Sequence, residues 1–373
     1  MKEFMTFKSG KFYFCDIYDE AKINNLLVRA IVLNETVVDL PILPEMSSHL
    51  EPNIMYSSIS GTAMIEGNPI IGDDVKRIAE GEDIESYTQK DKQEIKNLIK
   101  AYNWLSGVES SGTPFVLTEK IIKELHKIIT HDIPHENNVP GQYRNGLVYV
   151  GDKAHGGKYT PPKILDDIKN LMNQFIAWIN SKEIIAIDPF LRAALAHYHF
   201  CLIHPFWDGN GRTARILEAL LLQTSNIKYL PKELSNYYYR NVDDYYIAFS
   251  KSIKLKKDVT PFIEFMLTAS VESLKGIKNS IIYFIRKFTL RDLYTFQRQQ
   301  KAITKRQFDL LSLLLDNPVN FTLKDLLEKN PFAILYTKVT TQTARRDLKR
   351  LTEMGHLTIS EDKKYYLNLH VLG

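Results

Sequence analysis

Residues 204–215 read HPFWDGNGRTAR, which sets a histidine, a carboxylate, a Gly-Asn-Gly turn and two arginines side by side. Such a run offers a base, a cation ligand, free backbone N–H groups and positive charge together, the combination that suits a polyphosphate. Upstream, Pro189–Ile203 (PFLRAALAHYHFCLI) is apolar at helical spacing and predicts a buried helix that delivers His204 at its end. Pro205 cannot continue that helix, and Asp208-Gly209-Asn210-Gly211 is a turn composition whose backbone can approach a ligand closely. Arg212–Gln223 (RTARILEALLLQ) predicts a second helix whose N-terminal N–H groups point into the same turn. Arg212 and Arg215 lie in its first turn, where the helix dipole disfavours cations, so a bound anion is their natural compensation.

The run resembles the signature of the Fic family, HxFx(D/E)GNGRxxR, at every defining position. The resemblance implies a mainly α fold, a helical core with a β-hairpin flap; a small N-terminal lobe and a C-terminal domain whose element order resembles a winged helix are read from the rest of the chain. It also implies transfer of AMP from ATP to a hydroxyl side chain of a target protein, and of the chain itself. His204 would be the general base, and Asp208 would hold Mg²⁺. Gly209, Asn210 and Gly211 would line the anion hole, while Arg212 and Arg215 would grip the outer phosphates.

Thr62-Ala63-Met64-Ile65-Glu66-Gly67-Asn68 fits the inhibitory (S/T)xxxE(G/N) motif of the same family. On the residues alone, Gly67 reads as a helix C-terminal cap with Pro69 beyond it, leaving Glu66 in a last turn where a carboxylate wants a cation. The resemblance supplies Arg215 as that cation, and the pairing would block the ATP γ-phosphate. Some relatives use this glutamate to remove AMP instead, and that alternative stays open here. So does a DNA-binding transcriptional regulator that keeps the core as a nucleotide sensor. UMP transfer and phosphorylation are further outcomes of the same fold.

Gly141–Pro162 (GQYRNGLVYVGDKAHGGKYTPP) reads as a hairpin, with the β-rich run Leu147–Val150, a Gly-rich turn and Lys158-Tyr159-Thr160. Its edge could take a target strand by β-augmentation, which makes a target protein with a Ser, Thr or Tyr hydroxyl the expected partner. Gly141 and Arg144 fit the GxxR pattern that precedes this flap in the family. Among the tyrosines at 237–239 and 245–246, the family position favours Tyr246 for the base pocket, with core packing the competing reading for each of them. His197 and His199 are two apart on a helix and face different ways, so they read as core histidines. Cys15 and Cys201 are too few for a disulfide framework or a zinc site.

The 373 residues are 44% hydrophobic with a net charge of +4, which supports packed cores and argues neither for nucleic acid nor for membrane globally. No long apolar run reads as a signal or an anchor, so a cytoplasmic location is expected, with no membrane partner. The pattern predicts an N-terminal lobe with the inhibitory helix at 1–105, the catalytic core at 106–280 and a winged helix-turn-helix at 300–373. Leu26–Leu33 and Thr36–Leu40 look like short β runs among turns, ending in Pro41, Pro44 and Pro52. At the other end, Thr304–Leu315, Thr322–Lys329 and Thr341–Met354 read as helices, and His356–Ile359 with Lys364–Leu369 as a two-stranded wing. Arg345, Arg346, Lys349 and Arg350 give the third helix a basic face suited to DNA, although winged helices also bind proteins. The reading leaves a homodimer open.

Overall fold

The computed structural model describes residues 1–42, 44–110 and 112–371. The chain forms two compact units, Met1–Lys278 and Asn279–Gly373, and it is mainly helical. The first unit opens with an antiparallel hairpin of β1 (Lys2–Met5) and β2 (Lys11–Phe14), in which Lys2 pairs with Phe14. Then come α1 (Glu20–Asp39), α2 (Pro44–Ile65), α3 (Gly72–Ala79), α4 (Gln89–Ser106), α5 (Glu119–Ile129) and α6 (Leu165–Ile179). After these follow α7 (Lys182–Ile185), α8 (Pro189–Ile203), α9 (Asn210–Gln223), α10 (Leu234–Arg240) and α11 (Val242–Leu255). The dividing position falls inside α12 (Thr260–Gln299).

At the centre, α8 packs along α9. The α8 side chains from Phe190 to Phe200 are all buried, which is why its sequence is apolar on every face rather than along one stripe. Asp188 caps its start by accepting from the Phe190 N–H at 2.9 Å, with Pro189 in the first turn where a missing N–H costs nothing. The helix that carries the Thr62–Asn68 motif, α2, packs on α10 and α4, close enough to α9 to bring its C-terminal end to the turn at 208–211.

Three expectations need correction. Residues 20–39 are one helix, not β runs: Ile23, Ala30 and Val37, seven apart, form its buried seam, and Asp19 caps it by accepting from Ala21 and Lys22. Burial on one face outweighs the modest helix penalty of its β-branched residues. Pro44 and Pro52 do not end a lobe, since Pro44 begins α2 and Pro52 lies inside it. The hairpin flap is reduced to one antiparallel bridge, Val150 with Tyr159, because Gly151, Gly156 and Gly157 take positive φ and turn the chain away from a ladder.

In the second unit α13 (Lys305–Asp316), α14 (Leu323–Glu328), α15 (Phe332–Tyr336) and α16 (Thr341–Glu353) precede β3 (Leu357–Ile359) and β4 (Tyr365–Leu367). Thr304, Thr322 and Thr340 cap α13, α14 and α16 through their side chains, the first two as capping boxes with Gln307 and Asp325. Phe321 bridges to Tyr365, adding a third short strand segment to the hairpin. Leu310, Leu314, Phe332, Leu348 and Leu357 share one core. The five-residue α15 was not expected, being too short for any periodicity to show.

Candidate active site

His204 sits at the C-cap of α8 in the left-handed region, φ 49° and ψ 59°. That conformation ends the helix and turns the imidazole out to a cavity. Arg144 locks the position from behind: its Nε donates to the His204 carbonyl at 2.7 Å, Nη2 to the Ile203 carbonyl at 3.4 Å, and Nη1 to the Gly146 carbonyl. A buried guanidinium on the last carbonyls of α8 also complements the negative end of the helix dipole. His204 Nδ1 lies 3.3 Å from the Cys201 carbonyl. A carbonyl only accepts, so Nδ1 carries the proton and Nε2 keeps its lone pair. Burial, then the charge of Arg144, pushes the His204 pKa down to about 4, so the ring is neutral near pH 7.

The loop after His204 is held from within. Asn210 accepts the Phe206 N–H at 2.9 Å and donates to the Phe206 carbonyl at 2.9 Å, closing the turn. Its amide is therefore spent on the loop, and only its backbone is left to face an anion. Gly209 takes φ 76° and starts α9 without a side-chain cap, so α9 begins two residues before the predicted Arg212. Asp208 accepts from Arg212 Nη2 at 2.9 Å with both carboxylate oxygens and from the Gly209 N–H at 2.6 Å. Burial opposes ionisation of Asp208, but Arg212 and these hydrogen bonds keep its pKa below the usual range. Arg212 also lies 3.3 Å from Glu94 on α4.

The Thr62–Asn68 motif closes on this loop. α2 ends in a Schellman arrangement in which Asn68 N–H donates to the Ala63 carbonyl and Gly67 N–H to that of Met64, with Gly67 at φ 88°. This leaves Glu66 aimed at Arg215, whose Nη2 donates to Glu66 Oε1 at 2.6 Å. Arg215 Nε donates to Thr62 Oγ1 at 2.7 Å and Nη2 to the Thr62 carbonyl at 3.2 Å. Burial works against the Glu66 charge, yet Arg215 and then Arg212 hold its pKa below the usual range. A Cβ at Gly211 would lie 2.5 Å from Glu66 Oε1. The carboxylate thus rests against the first turn of α9, the position an anion takes at a helix N-terminus.

A cavity of about 450 Å³ opens beside these groups. Its lining includes Glu66, His204, Gly211 and Arg215, Tyr245 and Tyr246 on α11, and flap residues 149–152 and 155–159. Asp208, Gly209, Asn210 and Arg212 lie outside its lining. Tyr246 donates to the Ile65 carbonyl at 3.4 Å, while Tyr245 is buried, stacked on Tyr238 and bonded to His197 Nε2 at 2.8 Å. His199 is a core residue at the Cys15 backbone.

The flap tip is tied over this cavity by His155. Its Nδ1 lies 2.8 Å from Asp152 Oδ2 and its Nε2 3.0 Å from Asp243 Oδ1 on α11, with the Tyr246 ring beside it. Both ring nitrogens face acceptors, which suits the imidazolium, and Asp243 then Asp152 raise the His155 pKa above its ordinary value. The tie is therefore complete below the usual histidine range and weakens as pH rises through the raised value. We expect amide exchange at 150–159, corrected for intrinsic rate, to quicken as pH rises above the ordinary histidine value of about 6.5. Asp243→Asn should flatten that dependence, and an unchanged profile in the variant would contradict the tie.

Four contributors escaped the sequence reading. Glu94, His126 and Asn138 come from elements with no local pattern pointing to the turn, while His155 lies in the flap read from the sequence but was not singled out there. Asn138 accepts the Asp208 N–H at 3.3 Å. His126 is 0% exposed and touches the loop directly. Among the described residues no helix is long and apolar enough to cross a membrane, and no group of three His, Cys, Asp or Glu side chains could hold a metal.

Comparison with known proteins agrees with this geometry. Residues 116–222 match the sequence model of the Fic/DOC family. A protein adenylyltransferase Fic of Aedes aegypti is 30% identical over 181 residues, 48% of this chain and 33% of the relative. One of Drosophila ananassae is 30% identical over 223 residues, 59% of this chain and 41% of the relative. The chain thus spans well under half the length of these curated relatives. A Fic family protein from Desulfovibrio desulfuricans shares the fold at a TM-score of 0.59 and 20% identity, covering 95% of this chain and 98% of that one.

Proposed function

With a Fic/DOC domain at residues 116–222 as its core, we propose that the chain moves AMP from ATP to a Ser, Thr or Tyr hydroxyl of a target protein and of itself, and that Glu66 restrains this activity. The observation that carries the reading is the shared cavity, which brings together a neutral His204, the start of α9 and an Arg215 already occupied by a carboxylate. In the reaction the acceptor oxygen bonds to the α-phosphorus as the bond to pyrophosphate breaks, and His204 Nε2 takes the hydroxyl proton. Gly209 to Gly211 and Arg215 stabilise phosphate charge by position rather than by covalent chemistry. Tyr246 and its neighbours on α11 frame the side of the cavity that suits a base. Asp208, ionised and partly open to solvent, fits a cation that takes one carboxylate and otherwise phosphate oxygens, so it would hold Mg²⁺, which when bound neutralises phosphate charge. The exposed Leu147 and Tyr149 beside the single flap bridge leave an edge on which a target segment can lie. Tandem mass spectrometry of the protein and candidate targets after incubation with ATP and Mg²⁺ identifies the added group and its acceptor. An AMP adduct is expected, and a phosphate adduct would reassign the reaction.

We further propose a second activity for the second unit, whose order of helices followed by a hairpin supports reading it as a winged helix-turn-helix. Arg345, Arg346, Lys349 and Arg350 on α16 are all exposed. Lys349 pairs with Glu353 at 3.7 Å and Arg350 donates to the Ala302 carbonyl at 2.6 Å, which leaves Arg345 and Arg346 as the side chains best placed for phosphate. The full chain should shift duplex DNA at low salt. The double Arg345→Ala, Arg346→Ala variant should flatten the dependence of log K on log salt by about two. No shift by the full chain at any salt would favour a protein-binding role for this unit.

A further inference from the structure

We propose that His126 positions the reacting groups by pinning the anion loop to the segment that holds His204. The proposal rests on the transfer reading above for its kinetic consequence, but not for its structural one. His126 lies in the last turn of α5, fully buried. Its Nδ1 accepts the Gly141 N–H at 2.9 Å, and its Nε2–H donates to the Asp208 carbonyl at 2.9 Å. An amide N–H only donates and a carbonyl only accepts, so the tautomer is unambiguous and the neutral ring is required on both sides. Burial keeps it so, holding the His126 pKa at about 4.

The ring also lies flat on Phe206, with centroids 3.6 Å apart and planes 6° from parallel. Phe206 is the residue whose backbone Asn210 clasps. One imidazole therefore meets the anion loop twice, through the Asp208 carbonyl and the Phe206 ring. On its other edge it meets Gly141, three residues before the Arg144 that holds the His204 carbonyl. Gly209 shows how close this contact is: a Cβ there would lie 2.7 Å from Thr130 Cγ2 and 3.5 Å from the His126 ring. Thr130 is itself anchored, its hydroxyl donating to the His126 carbonyl at 2.8 Å. The base and the anion hole lie along one short run of chain, and His126 bonds both to that run, at the Asp208 carbonyl, and to Gly141 on the segment whose Arg144 holds His204.

A histidine that merely fills the core would tolerate any ring of its size. His126→Phe keeps the stacking and the volume but removes both hydrogen bonds. His126→Gln restores a donor near the Nε2 position, and His126→Asn an acceptor near the Nδ1 position. All are best read in the full chain carrying Glu66→Gly, so that transfer is measurable. His126→Phe should lower kcat about 100-fold, the scale of a misplacement near 1 Å, with the Kd for ATP changed by no more than a few-fold. His126→Gln should recover more of kcat than His126→Asn, because the loop bearing Asp208 is the part that meets phosphate. In the same samples, amide exchange at Gly141 and Gly209 should quicken in His126→Phe. Unchanged exchange at both amides would overturn the pin whether or not the chain transfers AMP. So would three variants whose kcat values simply follow their melting temperatures. If the Glu66→Gly parent transfers nothing while Gly141 and Gly209 loosen in His126→Phe, the transfer reading fails and the pin stands.

Discussion

Glu66→Gly should raise labelling by ATP tagged on its α-phosphate by a factor on the order of 5 to 150, the range of ordinary coupling between two sites. The expectation follows from where the carboxylate lies. Glu66 Oε1 holds Arg215 Nη2 at 2.6 Å and rests against the backbone of Gly211, so an outer phosphate and Glu66 cannot use the same donors together. Removing the side chain leaves Arg215 with its two bonds to Thr62, which keep the guanidinium aimed at the cavity. A helix end that already terminates in a Gly67 Schellman cap accepts a second glycine at little cost to the fold. Glu66→Gln separates charge from occupancy: it keeps the bulk and weakens the pairing, and should give an intermediate gain. Labelling that stays at the parent level in Glu66→Gly would contradict the lock.

His204→Ala should lower transfer by about 100- to 10,000-fold, the usual worth of a positioned general base. ATP binding should change little, because the phosphate donors belong to α9 and its turn. The protonation state sharpens this expectation. With its folded pKa pushed down to about 4, His204 is a competent base throughout the neutral range. The rate should therefore rise with pH through about 4 and not through the ordinary histidine value. His204→Ala with wild-type rates, or an acidic limb centred near 6.5, would remove His204 from the role.

Much of this site was legible because composition and backbone geometry coincide in one short run. Pro189 to Ile203 is apolar on every face, so a buried helix ending at His204 follows, whereas the next helix, read from Arg212, starts two residues earlier at Asn210 after the positive-φ Gly209. Asn210 was legible as part of the turn but not in its task, since only the fold shows its amide clasping Phe206. The pairing of Glu66 with Arg215 spans 149 positions, and family resemblance alone named the partner. His126 and Glu94 were invisible for a related reason: each is an ordinary helix residue whose meaning comes from packing against a distant loop. α1 was misread because its valines and isoleucines look strand-like locally, whereas Ile23, Ala30 and Val37 recur at the spacing of a packed helix face. In the flap, the β-rich Leu147–Val150 run reads as a strand, but only Val150 pairs, with Tyr159, because Gly151, Gly156 and Gly157 leave room for a single bridge.

Intact-mass and tandem mass spectrometry of two full-length variants, Glu66→Gly and Glu66→Gly with His204→Ala, each incubated with ATP and Mg²⁺, bears most directly on a base and an anion site gated by one carboxylate. The single variant should gain the mass of AMP on a hydroxyl side chain, and the double variant should not. A single variant that stays unmodified while binding ATP, or a double variant that is labelled equally, would contradict it.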